Sequence, residues 1–417
     1  MPARPRIIII GGGFGGLSAA RTLRSAAADV LLIDRGNHHT FQPLLYQVAT
    51  AGLAAPSIAA PLRHILRDQR NATVLLGEAR RIDVAGRTVD VDGVPHRYDF
   101  LIVATGSTHA YFGHDEWAPY APGLKTLNDA LRIRARVLTA FERAEATADP
   151  AEQTEWLTFL IVGAGATGVE LAGTLAEIAR HTLKREFRHI DLAAAKVLLI
   201  EAGARVLPTF PPSLSAKAQR QLERLGVLVR AGHAVTGVDE RGVRIGAARI
   251  EARTTLWAAG VAASPLGATL GVSVDRAGRV PVTAELAIAG YPEVFVVGDL
   301  AAPDAGGPIP AIAPAAKQMG RYAAEAILAR QAGRHIGPFH YRHFGSLATI
   351  GRMAAVADFG RIRISGIVAW WIWLIAHIYF LIGFRNRLVV LIDWAEAYWS
   401  YRRSARIIIP VGAPAKR

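Results

Sequence analysis

Two stretches of this chain repeat one three-part pattern, an apolar strand, a glycine loop and a helix of small residues, and nothing else in it constrains the fold as tightly. Residues 7–10 run into Gly11-Gly12-Gly13-Phe14-Gly15-Gly16 and a predicted helix over 17–23; the next buried strand, 30–33, ends at Asp34. Residues 157–162 run into Gly163-Ala164-Gly165-Ala166-Thr167-Gly168, a predicted helix from 169 to about 185, and a strand over 197–200 ending at Glu201. These are two βαβ units of the dinucleotide-binding type. In each, the first glycine makes the tight turn, the second lets backbone N–H groups approach a pyrophosphate, and the third lets helix and strand close. The phosphates then rest on the positive end of a helix dipole.

Asp34 follows Gly16 by 18 residues, near the separation expected of a ribose-binding acid. Further apolar strands end in glycine: 100–104 before Thr105-Gly106, 255–259 before Gly260, and 294–297 before Gly298-Asp299. Asp299 reads as a carboxylate for sugar or ribitol hydroxyls, with backbone amides beside it for phosphate. The order of these signals describes one nucleotide domain inserted within another, an α/β architecture.

The chain of 417 residues contains no cysteine, which removes disulfides, thiolate metal sites and any dithiol or persulfide relay. Its redox chemistry therefore needs an organic cofactor. The net charge is +14, and residues 361–417 hold nine basic and two acidic side chains, half of that excess. Interleaved with Trp and Ile, this cluster points to a lipid surface rather than nucleic acid. At the other end, the apolar run after Arg6 stops at four residues, too short for a signal peptide.

Residues 367–384 are 18 residues without an ionised side chain other than His377, barely the length of a spanning helix. Were they to span, the seven basic residues of 385–417 would have to cross, against the positive-inside tendency. A helix lying on or dipping into one leaflet is expected instead. Leu388, Leu391, Ile392, Ala395, Tyr398 and Trp399 form an apolar stripe on a second helix, with Asp393, Glu396, Ser400 and Arg403 on its other side.

The loop Asn37-His38-His39-Thr40-Phe41-Gln42-Pro43-Leu44-Leu45-Tyr46-Gln47-Val48-Ala49-Thr50, together with residues 163–173, 298–299, 313–320 and 377–387, resembles the type II, non-proton-pumping NADH:quinone oxidoreductases. The resemblance runs over essentially the whole chain. It implies two Rossmann-like domains and a C-terminal helical membrane-anchoring region: an FAD-binding domain over 1–120 and 255–332, an NADH-binding domain over 121–254, and a membrane-associating segment over 333–417. It also implies a peripheral homodimer on the cytoplasmic face of the membrane, reducing a membrane quinone. Gly11, Gly13, Phe14, Gly15, Gly16, Asp34, Arg35, Gln42, Thr105, Gly106, Gly298 and Asp299 are assigned to FAD, and Gly163, Gly165, Gly168 and Glu201 to NADH; Gly260, at its strand end, is expected as a further cofactor-binding residue. Glu201 favours NADH over NADPH, because it can bond a ribose 2′-hydroxyl and repels a 2′-phosphate.

Glu170, in the first turn of the second fingerprint helix, matches a glutamate that the family places beside nicotinamide and flavin as a proton relay. The family's Ala-Gln-x-Ala-x-Gln motif reads Ala313-Pro314-Ala315-Ala316-Lys317-Gln318 here, so the first Gln is Pro314. Gln318 and Lys317 remain as expected contributors beside flavin and quinone. Competing readings are a soluble flavin reductase of a ferredoxin-like partner, disfavoured by the apolar C-terminus, and an NADH-sensing membrane scaffold. Sulfide:quinone oxidoreductase chemistry requires cysteines that this chain lacks.

Overall fold

The structure, a computed structural model, describes residues 4–183, 186–303, 309–400 and 405–409. Arg185 and Arg403, which the sequence reading placed at helix positions, lie outside these residues. The chain divides into two compact units, one made of 1–39, 59–108 and 261–344, the other of 40–58, 109–260 and 345–417.

The first unit is built on a six-stranded sheet in the order Ala287–Ile288, Tyr291–Val296, Phe100–Val103, Arg6–Ile10, Asp29–Asp34, Ala72–Leu76. All neighbours run parallel except the antiparallel edge pair at 287–296. Ile7, Ile8 and Ile9 are wholly buried, as an unbroken apolar run must be when both faces of a parallel sheet are covered. The first fingerprint helix, Phe14–Thr22, starts three residues earlier than the sequence pattern suggested. The glycines that hide helix propensity are themselves its first turn, and Gly13 is its N-cap. This helix crosses the helix Ala313–Gln331 at glycine contact: a Cβ on Gly320 would sit 2.0 Å from the Gly15 carbonyl oxygen.

The second unit carries a four-stranded parallel sheet, Val227–Ala231, Lys196–Glu201, Thr158–Val162, Thr254–Trp257. Its fingerprint helix, Ala166–Glu177, gives way to a π-helical turn at Ile178–Thr182, a distortion that recurs near functional sites. An antiparallel sheet of Ser346–Gly351, Ala354–Asp358 and Arg363–Gly366 packs beside that helix. Gly173 makes the contact possible, since a Cβ there would fall 1.6 Å from the Ile350 carbonyl oxygen.

The apolar stretch 367–384 is not one helix. Gly383, at φ +85°, breaks it into Ile367–Phe380 and a following helix Phe384–Ser400. Among the described residues no helix is long and apolar enough to cross a membrane. Asn386, Val390 and Trp394 form the inward face of the last helix, while Leu388, Leu391, Ile392, Ala395 and Trp399 of the expected stripe point outward. Tyr398 is half-buried, accepting a 2.8 Å hydrogen bond from Trp370 Nε1.

Candidate functional site

Both fingerprints satisfy the three demands made of their glycines. Gly11 and Gly163 hold φ of +102° and +99°, backbone that L side chains avoid. Gly13 and Gly165 face open space, with nothing within 4 Å of an added Cβ. Gly16 and Gly168 lie so close to the strand turn that a Cβ would fall 1.9 and 1.8 Å from the carbonyl oxygens of Gly11 and Gly163. Room for a phosphate therefore lies over the helix N-terminus in both units.

The strand-end carboxylates repeat each other too. Asp34 accepts backbone N–H bonds from Gly12 at 2.5 Å and Gly36 at 2.6 Å; Glu201 accepts them from Ala164 and Gly203, both at 2.7 Å. Each carboxylate is thus pinned beside the glycine loop with lone pairs left for a ribose. Arg35 is exposed beside Asp34.

In the first unit Thr105 Oγ1 is buried without a hydrogen-bond partner among the described residues, an orphan that a ligand's oxygen would satisfy. Gly106 and Gly298 hold φ of +65° and +74°. Asp299 accepts a 2.7 Å bond from the Ser107 hydroxyl. Gly298, Asp299, Ala315, Ala316 and Met319 line one cleft. An orphaned hydroxyl, a fixed carboxylate and an open pyrophosphate cradle in one unit suit a dinucleotide as long as FAD. Gln42 and Gly260 lie in the second unit. Gln42 Nε2 reaches the Lys125 carbonyl at 3.5 Å, and a Cβ on Gly260 would overlap the Phe112 ring.

Lys317 lies with its Nζ 5.2 Å from the Phe14 ring centroid. Burial pulls its pKa down, and Arg21 adds to that. His39, to which the sequence reading gave no role, hydrogen-bonds the Gly12 carbonyl at 2.9 Å and sets its ring edge-on to Phe14. Burial holds that imidazole near pKa 4, so it stays neutral.

Gln318 has both ends of its amide engaged on one backbone residue: Nε2 donates to the Arg342 carbonyl at 2.9 Å and Oε1 accepts from the Arg342 N–H at 3.0 Å. That geometry favours tying down the segment after the helix over serving an acceptor. Gln318→Ala should therefore slow neither half-reaction selectively and should lower Tm by about 1 °C, the effect of roughly 1 kcal/mol in a chain of this size. A loss confined to quinone reduction in stopped flow would return the amide to the acceptor.

A second constellation lies wholly in the second unit. Glu170 and Glu177 stand two turns apart on the fingerprint helix, facing the strand Ser346–Gly351. Glu170 is not fully shut off from solvent, yet desolvation of its carboxyl pushes the pKa up to about 8, against a Thr349 backbone N–H that pulls it down. Glu177 accepts a short hydrogen bond from the Arg352 N–H. Nearby is a cavity of about 70 Å³ whose wall includes Tyr46, Gln47, Thr174, Thr349, Trp373 and Trp394. His377 stacks on Trp373, with ring centroids 4.2 Å apart, and meets the edge of Phe41. Burial lowers its pKa to about 4. The C-terminal aromatics thus roof a cavity whose other wall is the loop after the first ribose acid.

Two fingerprints on two parallel sheets, each with a pinned carboxylate, define a pyridine-nucleotide oxidoreductase of the two-dinucleotide class. Residues 5–320 match the pyridine nucleotide-disulphide oxidoreductase family, and residues 343–403 match the NDH2 C-terminal domain. The chain is 47% identical to the type II NADH:quinone oxidoreductase Ndh of Mycobacterium tuberculosis, over 96% of this chain and 90% of that one. It is 29% identical to a probable NADH dehydrogenase of Dictyostelium discoideum, over 93% and 88%. The fold matches the solved structure of NDH2 from Plasmodium falciparum in complex with NADH at a TM-score of 0.90, covering 98% of this chain and 100% of that one at 21% identity. The chain belongs to the type II NADH:quinone oxidoreductase family, the non-proton-pumping NADH dehydrogenases. The dithiol chemistry of the broader disulphide oxidoreductases is absent, because the chain has no cysteine.

Proposed function

We propose that the first unit holds FAD non-covalently, the second unit holds NADH, and a quinone is reduced at the aromatic-roofed cavity. The observation that carries the reading is the doubled fingerprint with its two pinned carboxylates. FAD, when bound, accepts a hydride from NADH and passes two electrons on. The chain's own residues do the remaining work. Gly13 and Gly165 admit the pyrophosphates, Asp34 and Glu201 bond ribose hydroxyls, and Asp299 with Thr105 orients the ribitol chain. Glu170 holds a proton at neutral pH in surroundings that disfavour its anion. The proposed domain limits remain 1–120 with 255–332 for FAD, 121–254 for NADH, and 333–417 for membrane association.

Membrane attachment belongs to the same proposal. Trp371, Ile375 and Tyr379 repeat every fourth residue on one helix face, and each is more than half exposed; Phe384, Leu388, Ile392 and Trp399 extend the apolar surface along the next helix. Exposed apolar residues in this number mark an interaction surface; Arg385 is exposed among them and Arg387 donates to the Leu381 and Tyr379 carbonyls, adding positive charge for anionic headgroups. We place the protein as a homodimer on the cytoplasmic face, where NADH is supplied.

The test is spectroscopic. The purified protein should be yellow and should be bleached by NADH far faster than by NADPH. Glu201→Ala should raise the NADH concentration required by about 10-fold, the worth of one charge-assisted hydrogen bond, and narrow that preference. Equal rates with both nucleotides in the unsubstituted protein would reject the assignment of Glu201.

A further inference from the structure

We infer that the Tyr46 hydroxyl delivers the proton to a quinone oxygen, and that Gln47 and Trp394 hold it in the donating orientation. This rests on the reading of the cavity as the acceptor site.

The indole of Trp394 has an N–H and no acceptor. Its Nε1 donates to Gln47 Oε1 at 2.7 Å, which fixes the amide's direction, so Gln47 Nε2 must face outward as a donor. That nitrogen lies 2.9 Å from the Tyr46 oxygen. The phenol oxygen therefore accepts from Gln47, and its own proton is turned to another acceptor. Tyr46 is 5% exposed and forms part of the cavity wall. Glu170 and Glu177 from the fingerprint helix and Tyr398 from the C-terminal helix face it, and burial together with these groups raises its pKa well above the ordinary value. The phenol thus keeps its proton until a stronger base arrives beside it.

The proton count requires such a donor. Oxidation of NADH supplies two electrons and one proton, whereas a quinone becoming a quinol takes two electrons and two protons. One proton must come from water through the protein. As electron density reaches the quinone oxygen, the Tyr46 O–H bond breaks and the quinol O–H bond forms. Glu170 returns its proton to the phenolate, and its own is replaced from water past the half-exposed Glu177 and Arg352 at the rim.

Tyr46→Phe keeps the ring and removes one oxygen. In the FAD-loaded enzyme with a soluble short-tailed quinone, kcat should fall about 100-fold with KM changed less than about 3-fold. The solvent deuterium isotope effect on quinone reduction should grow, and the rate of flavin reduction by NADH should fall less than about 2-fold. Trp394→Phe, which removes the indole N–H, should give a smaller loss of the same kind. Quinone turnover within 2-fold of the unsubstituted enzyme in Tyr46→Phe overturns the inference, as does equal slowing of both half-reactions. Thr174→Phe, which fills the cavity, separates the two levels of the argument. If it leaves the quinone KM unchanged, the cavity is not the acceptor site and the underlying reading fails; if KM rises while Tyr46→Phe is normal, only the inference fails.

Discussion

Glu170→Gln is expected to cut quinone turnover about 100-fold at pH 7, the ordinary contribution of a placed proton donor, with a much smaller effect on flavin reduction by NADH. Desolvation raises the Glu170 pKa to about 8, so its carboxyl is protonated at neutral pH and loses that proton as pH rises. Its quinone-reduction rate should fall above about pH 8, and in Glu170→Gln that falling limb should vanish. Stability follows the same shift with a definite sign. The folded-state pKa lies above the unfolded value of 4.5, so the stability linked to this group is fully present below about 4.5 and is lost as pH climbs through about 8. The Gln variant should therefore match the parent in Tm at pH 5 and exceed it at pH 9. An unchanged pH–rate profile in the variant would remove Glu170 from proton delivery.

The second large effect concerns the outward face of the C-terminal helices. Replacing Trp371, Ile375 and Tyr379 together with Glu removes three exposed apolar side chains from whatever covers them. At about 1.5–3 kcal/mol for each large side chain buried, membrane partitioning should weaken by roughly 5 kcal/mol, more than 1,000-fold. Co-sedimentation with vesicles of mixed neutral and anionic lipid at high salt measures it, since salt suppresses the contribution of Arg385 and Arg387 while leaving the apolar one. The variant should remain in the supernatant, keep activity with soluble quinones and lose it with long-tailed ones. If it still sediments with vesicles, attachment lies elsewhere.

Much of the fold was legible because its signals are local. A glycine loop between an apolar strand and a helix is fixed by steric demands within a dozen residues, and strand ends set the places of Asp34 and Glu201. The cavity roofed by the C-terminal aromatics was not legible in the same way. Tyr46, Thr174, Thr349, Trp373 and Trp394 come from five separate segments, and no period or spacing links them. The occupation of Gln318 was hidden for a related reason, since its partner is a backbone and a backbone leaves no residue signature. The apolar stretch 367–384 misled by composition. Its hydrophobicity suggested one helix, while Gly383 in left-handed backbone divides it.

The bond between Trp394 and Gln47 joins residues 347 positions apart in the chain, and this has a bearing on how the protein is made. A ribosome that has delivered both glycine fingerprints and their sheets has still not supplied the helix Phe384–Ser400. Until then Gln47 has no indole to orient its amide, and the cavity beside it lacks one wall. Closing so long a loop is entropically costly and is deferred until the local elements exist to favour it. Nucleotide binding and acceptor reduction should therefore mature at different times in a nascent chain, the first with the early sheets and the second only as the last helix docks.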